Sequence, residues 1–122
     1  GIDFTARDVQ ADCKKKGLPW EKAKAFDGSA AVSRFFKIKA LNQPITNIHF
    51  HLDINGKTVQ SGNTKNMIFS VDELIAHVSK YFTLKTGDLI FTGTPAGVGQ
   101  IHKDDLLELY LEDQRIFYFN VK

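Results

Sequence analysis

Ile48-His49-Phe50-His51-Leu52-Asp53-Ile54-Asn55-Gly56 is the stretch that decides the fold. Ile48, Phe50, Leu52 and Ile54 alternate with His49, His51 and Asp53, so a strand through residues 45–54 has an apolar face and a polar one. Asn55-Gly56 is a strong hairpin signal, because a tight two-residue turn needs positive φ at both central positions and these residues tolerate it best. Residues 57–60 are the expected return strand. The trio His49, His51 and Asp53 combines two imidazoles with a carboxylate, but its outer members are roughly 13 Å apart on an extended strand. They cannot all reach one ion, and the trio reads as the solvent-facing side of a half-buried strand.

Further strands follow on either side. Residues 106–111 and 116–121 alternate and are joined by Glu112-Asp113-Gln114, a second hairpin in which Phe117 and Phe119 share a face. Leu89-Ile90-Phe91 is a short apolar run of the kind found in buried strands, and residues 30–38 carry Val32, Phe35, Phe36 and Ile38, which suit another. Helices are few. Ser70-Val71-Asp72-Glu73 is a capping box opening a helix as far as Phe82, with Leu74, Ile75, Val78 and Phe82 as its apolar stripe. Near the start, Thr5 with Asp8 three residues on predicts a helix over residues 6–16, with Ala6, Val9, Gln10 and Cys13 inward and Gly17 as the stop. Leu18-Pro19-Trp20 breaks it, and residues 21–25 suit one more turn before Asp27-Gly28. The expected fold class is α+β, mainly β.

At 122 residues, with 43% hydrophobic and 25% charged side chains, this is one domain or part of one. A net charge of +2 is too small an excess to imply nucleic acid. The densest basic run, Lys14-Lys15-Lys16, falls in a helix's last turn, where it complements the dipole. No run is long enough for a transmembrane helix, no signal peptide is evident, and no membrane partner is expected. Cys13 is the single cysteine, so no internal disulfide forms; this fits a reducing compartment, the cytoplasm or, in a eukaryote, the mitochondrion. The chain has no initiator methionine, and Gly1-Ile2-Asp3-Phe4 reads as the end of a strand whose beginning is missing.

The chemistry concentrates at the front. Asp3 is a hard oxygen ligand one step ahead of a helix start, of the kind magnesium or manganese prefers. Arg7 and Gln10, three apart, share a helix face and suit an anion near the positive end of the dipole. Lys24 follows soon after. A plainer reading stays open, in which Asp3 and Asp8 cap the helix, Arg7 pairs with one of them and Lys24 is solvated. Thr92-Gly93-Thr94-Pro95-Ala96-Gly97-Val98-Gly99 is a glycine-rich loop whose amides and Thr94 hydroxyl can donate to an anion. It is no P-loop, since no Gly-Lys-Ser/Thr follows.

Taken together, Asp3-Phe4-Thr5-Ala6-Arg7-Asp8-Val9-Gln10, Lys16-Gly17-Leu18-Pro19-Trp20 with Lys24-Ala25-Phe26-Asp27, Ser61-Gly62-Asn63-Thr64, Met67-Ile68-Phe69-Ser70 and the loop 92–99 resemble the fumarylacetoacetate hydrolase family. The Lys-Lys-Lys-Gly-Leu-Pro-Trp segment is most similar to its acylpyruvate hydrolase and oxaloacetate decarboxylase or tautomerase branch. The resemblance implies a mixed β-sandwich roll with short helices, a homodimer, and a Mg2+ or Mn2+ ion held by two glutamates and one aspartate, which Asp3 matches. The family's Glu-x-Glu pair lies upstream and this sequence has none, so the chain looks like the carboxyl-terminal part of a catalytic domain. By the same resemblance Arg7 and Lys24 are catalytic residues that stabilise an enolate or carboxylate, while Gln10, Gly93 and Thr94 bind substrate. The implied activity is metal-dependent carbon–carbon hydrolysis or decarboxylation of a small keto acid, acylpyruvate or oxaloacetate-like. Isomerisation or decarboxylation of hydroxydienedioates, or a non-catalytic binding or dimerisation module, are the alternatives.

Overall fold

The computed structural model describes all 122 residues, which form two compact units, Gly1–Ser33 and Arg34–Lys122. In the first, strand β1 (Ile2–Asp3) pairs antiparallel with β2 (Ala30–Ala31), Asp3 opposite Ala30. Between them lie helices α1 (Arg7–Lys16) and α2 (Glu21–Lys24). Gly17, at φ 64°, ends α1 in the left-handed conformation that glycine adopts most cheaply, and the Leu18 amide closes on the Cys13 carbonyl at 2.9 Å. Gln10, Cys13 and Ala23 are buried, so the inward face of α1 is the expected one. Its start is not. The N-cap is Ala6, one residue later than expected and without a side-chain cap, and the Thr5 hydroxyl accepts from Lys24.

The second unit is built on a four-stranded antiparallel sheet in the order β4-β3-β5-β6. Strand β3 (His49–Ile54) is central and turns into β4 (Lys57–Asn63) through Asn55 and Gly56, at φ 51° and 76°, the left-handed pair that the sequence predicts. Strand β4 runs three residues beyond the expected 60, pairing as far as Asn63 opposite His49. Strands β5 (Leu106–Leu111) and β6 (Gln114–Asn120) form the closing hairpin, with the Phe117 and Phe119 rings 5.1 Å apart. Leu52, Leu107 and Leu109 are buried on one face of the sheet. Many short strands and few helices make the fold α+β and mainly β, as expected.

The other face is less open than alternation suggests. The His51 ring stacks on Tyr110 at 4.3 Å, His49 Nε2 lies 3.0 Å from Ser61 Oγ, and Glu108 is buried beneath its ion pair with Arg115. Long polar side chains on neighbouring strands cover one another there.

Several expectations fail. The strand expected through residues 45–54 begins only at His49, after the 3-10 turn Ile45–Asn47. Residues 30–38 give only the two-residue β2, and Phe35 and Ile38 are exposed, the latter in the 3-10 turn Ile38–Ala40. Leu89, Ile90 and Phe91 form no strand and are also exposed. These runs lack the regular alternation that assigns a strand its faces and register. Helix α3 (Val71–Val78) opens with the Ser70–Glu73 capping box but stops before Phe82, where Ser79, Tyr81 and Phe82 are weak helix formers. No helix is long and apolar enough to cross a membrane.

Two tests follow from this architecture. Leu107 is 1% exposed at the middle of the sheet, so Leu107→Ala should cost about 2–5 kcal/mol; a urea midpoint matching the parent chain contradicts this placement. Asp105 accepts from the His102 amide and the Asn55 side-chain amide, and both hold its carboxyl below the ordinary aspartate value. A carboxyl lowered in the folded state contributes stability above the unfolded value and loses it as pH falls through the folded one. Carboxyl NMR titration should therefore give a depressed midpoint for Asp105, rising toward the ordinary value in Asn55→Ala.

Candidate active site

In the first unit, pairing of β1 with β2 fixes Asp3, and the Ala6 amide bonds the Ala23 carbonyl at 3.0 Å, tying the start of α1 to α2 one residue before Lys24. Lys24 Nζ then donates to Asp3 Oδ2 at 2.7 Å and to Thr5 Oγ1 at 2.8 Å. Neither charged side chain is buried, with 38% exposure for Lys24 and 42% for Asp3, so the pair is accessible to a ligand. On α1, one turn apart, Arg7 Nη1 donates to Gln10 Oε1 at 3.1 Å, and Gln10 is buried while Arg7 is exposed. The structure thus unites Asp3 with Lys24, and Arg7 with Gln10. The reading in which Arg7 pairs with Asp3 or Asp8 gives way to a contact with Gln10.

Gly93 and Thr94 belong to the second unit. They line an open hollow of about 580 Å³ together with Phe50, Gly62, Ile68 and Phe69, partly apolar and partly polar. The loop that carries them is pinned to β4 at two neighbouring positions. Gln60 Nε2 donates to Thr94 Oγ1 at 2.9 Å and to the Pro95 carbonyl at 3.0 Å. Next to it, Gly97 at φ 101° sits so close to Val59 that an added Cβ would overlap the Val59 carbonyl oxygen. Sequence reading passed over two contributors. Thr5 drew attention as a cap rather than as an acceptor for Lys24, and Gln60 belongs to no motif of its own. The usable signal for Gln60 is its register, opposite Leu52.

The α+β arrangement of short antiparallel strands, with an acid–lysine pair in the first unit and a pinned glycine-rich loop in the second, points to one class of protein. The sequence model of the fumarylacetoacetate (FAA) hydrolase C-terminal family matches residues 1–118, and the chain belongs to that family. It is 46% identical to the mitochondrial oxaloacetate tautomerase FAHD1 of Mus musculus over 99% of this chain and 54% of that protein. It is 47% identical to the oxaloacetate tautomerase YcgM of Escherichia coli strain K12 over 87% of this chain and 48% of that protein. The chain spans about half the length of the curated relatives it matches. Among solved structures, the fumarylpyruvate hydrolase of Pseudomonas aeruginosa in complex with Mn2+ and pyruvate superposes with a TM-score of 0.89 at 32% identity, covering 98% of this chain and 51% of that one.

The close approach at Gly97 gives a direct test of the pinned loop. Gly97→Ala combines a positive φ with a backbone overlap, so the loop should lift from β4 and the amides of residues 92–99 should exchange on the order of tenfold faster or more, as for a local opening made cheaper by about 1.4 kcal/mol. Unchanged exchange would show that the loop is held some other way.

Proposed function

We propose that this chain takes part in enolate chemistry on a small α-keto acid of the oxaloacetate type, with Mg2+ or Mn2+ as cofactor. The observation that carries the reading is the accessible Asp3 carboxylate with Lys24 held against it by Thr5. Support comes from the oxaloacetate tautomerases among the relatives and from the Mn2+ and pyruvate in the fumarylpyruvate hydrolase structure.

The donor chemistry of Asp3 suits a hard dication. One carboxylate oxygen is engaged by Lys24 and the side chain is half-exposed, so Asp3 fits as one ligand. No three His, Cys, Asp or Glu side chains of this chain come together to complete a metal site, so further ligands would come from outside these residues. When bound, the ion supplies Lewis-acid polarisation of the substrate carbonyl. The Lys24 ammonium provides a fixed positive charge where an enolate's charge would spread, and it needs no reorganisation because Asp3 and Thr5 already orient it. Arg7 adds a second cation, oriented by Gln10. Gly93 and Thr94 take the substrate-binding role, through backbone and hydroxyl donors. Tautomerisation and carbon–carbon cleavage share the enolate, and the Lys24 and Arg7 cations serve that shared part. Our first reading is tautomerisation of oxaloacetate, supported by the tautomerases among the relatives; hydrolysis of a fumarylpyruvate-like acylpyruvate is the second, supported by the Pseudomonas structure. A homodimer is the proposed assembly.

The gene product carrying these residues should interconvert enol and keto oxaloacetate, followed by ultraviolet absorbance, in the presence of Mg2+ or Mn2+. Asp3→Asn should weaken Mn2+ binding at least about tenfold by the free-ion EPR signal, since even outer-shell partners of ligands change affinity by that much. Lys24→Met should leave Mn2+ bound and lower kcat on the order of 100-fold, as loss of one preorganised charge donor does. Unaltered Mn2+ affinity and turnover in Asp3→Asn would sink the assignment. Turnover of acylpyruvates without tautomerisation would put the second reading first, and absence of turnover on every keto acid would leave a binding module.

A further inference from the structure

We propose that Gln60 is a positioning residue that sets the polarity of the Thr94 hydroxyl, making it a hydrogen-bond donor to the anionic oxygen of a carboxylate or enolate ligand. The inference rests on the reading of Thr94 as a substrate-binding residue and adds the group that makes it so.

The geometry allows one arrangement of protons. The Gln60 side-chain amide faces two oxygens at once, Thr94 Oγ1 at 2.9 Å and the Pro95 carbonyl at 3.0 Å. A carbonyl oxygen can accept and never donate, so the amide must present its nitrogen. With the amide flipped, its own oxygen would sit against the Pro95 oxygen, two acceptors in contact with no proton between them. The Pro95 carbonyl therefore fixes the orientation of the amide. A primary amide nitrogen has two hydrogens, and both are used, one on Pro95 and one on Thr94.

The consequence falls on Thr94. A threonine hydroxyl carries one proton and two lone pairs, and one lone pair is taken by Gln60. Its proton cannot point back at Gln60, whose nitrogen accepts nothing. It is left for an acceptor in the hollow that Thr94 lines. Accepting from Gln60 also polarises the O–H bond and strengthens it as a donor. An anionic oxygen is the acceptor that gains most from such a donor.

Gln60 can do this because the β3–β4 register sets it opposite Leu52, and because Gly97 seats the loop on the adjacent Val59. Side chain and backbone thus fix Thr94 from consecutive residues of one strand. Neither contact involves Asp3, Arg7 or Lys24, so the device is separable from the charged cluster.

The test uses Gln60→Leu, Gln60→Glu, Thr94→Val, Thr94→Ser and the double variant Gln60→Leu/Thr94→Val in the whole gene product. Gln60→Glu keeps the shape but replaces the donor by an acceptor, and its sheet amides report whether the fold is retained. Pyruvate is titrated in Mg2+ buffer, followed by the Gly93 and Thr94 amide resonances, and hydrogen exchange is read over residues 92–99. The expected result is faster loop exchange in both Gln60 variants and pyruvate affinity reduced about tenfold or more in Gln60→Leu, Gln60→Glu and Thr94→Val. Thr94→Ser should rescue binding, and the double variant should be no worse than either single one, because the two groups act as a unit.

Parent-like loop exchange and affinity in a folded Gln60→Glu overturn the proposal, as do fully additive losses in the double variant or a parent protein whose Gly93 and Thr94 resonances ignore pyruvate. The enolate reading fails separately. Pyruvate binding with these dependences and no turnover of any keto acid would remove the activity and keep the positioning role, whereas turnover with a KM indifferent to Gln60 would do the reverse.

Discussion

Asn55 is the constraint on which the second unit depends. Its backbone takes the positive φ that the β3–β4 turn needs, its own amide bonds the Leu106 carbonyl at 2.9 Å, and its side-chain oxygen accepts from the Leu106 amide at 2.9 Å. Its side-chain nitrogen donates to Asp105 at 2.8 Å. One residue therefore closes the hairpin and ties its tip to the first residue of β5, so the registers of β3 with β4 and of β3 with β5 are set at one place. A slip of one residue would turn every side chain of a strand to the opposite face. Gln60, five residues beyond the turn, would then leave the Thr94 loop, so the position of a candidate ligand-binding hydroxyl far along the chain depends on the Asn55 turn.

What could be read in advance divides along the same line. The Asn55-Gly56 hairpin, the Ser70 capping box, the Gly17 stop and the closing hairpin are local signals, each enforced by the dihedrals or hydrogen bonds of a few adjacent residues. All four are in the structure, the closing hairpin with a tighter turn than expected, since its second strand starts at Gln114 rather than residue 116 and ends at Asn120. Apolar runs without such signals misled. Phe35, Leu89 and Phe91 look like core by composition, yet burial needs a covering surface, and these 122 residues cover them only in part. Ile68 at 90% exposure is the extreme case in the same unit.

Thr5 shows how a locally sound inference loses to a longer-range contact. A threonine ahead of a helix with an acid three residues on has every reason to cap. Lys24 lies nineteen residues further along, and once the Ala6–Ala23 hydrogen bond brings α2 against the start of α1, the Thr5 hydroxyl accepts from an ammonium instead. A charge-assisted hydrogen bond of this kind is about twice as strong as a neutral one, and an exposed helix start can turn to water for its free amides. Spacing along the chain pointed to Asp3, Arg7, Gln10 and Lys24 as a group of interest; it could not say that Asp3 pairs with Lys24 and Arg7 with Gln10. The paired arrangement in turn explains why Gln10, a polar residue, is buried on the inner face of α1 without being stranded.

The Asp3–Lys24 pair also bears on how ligands would bind to each other's advantage. A carboxylate has two oxygens, and Lys24 occupies one of them. Were the other to ligate a dication, the one Asp3 charge would be shared between an ammonium and a doubly charged ion standing close to each other. Like charges at such distances disfavour one another, and in a partly exposed site solvent relieves this only in part. An anionic ligand brought to the same place restores the balance. Cation and anion should therefore assist each other's binding, with Lys24 as the residue through which they are coupled, since it already neutralises Asp3 when neither is present. Under the proposed function the lysine would have two employments in succession, counter-ion to the carboxylate in the free chain and counter-ion to an enolate in the loaded one, with Thr5 as the acceptor that holds its ammonium.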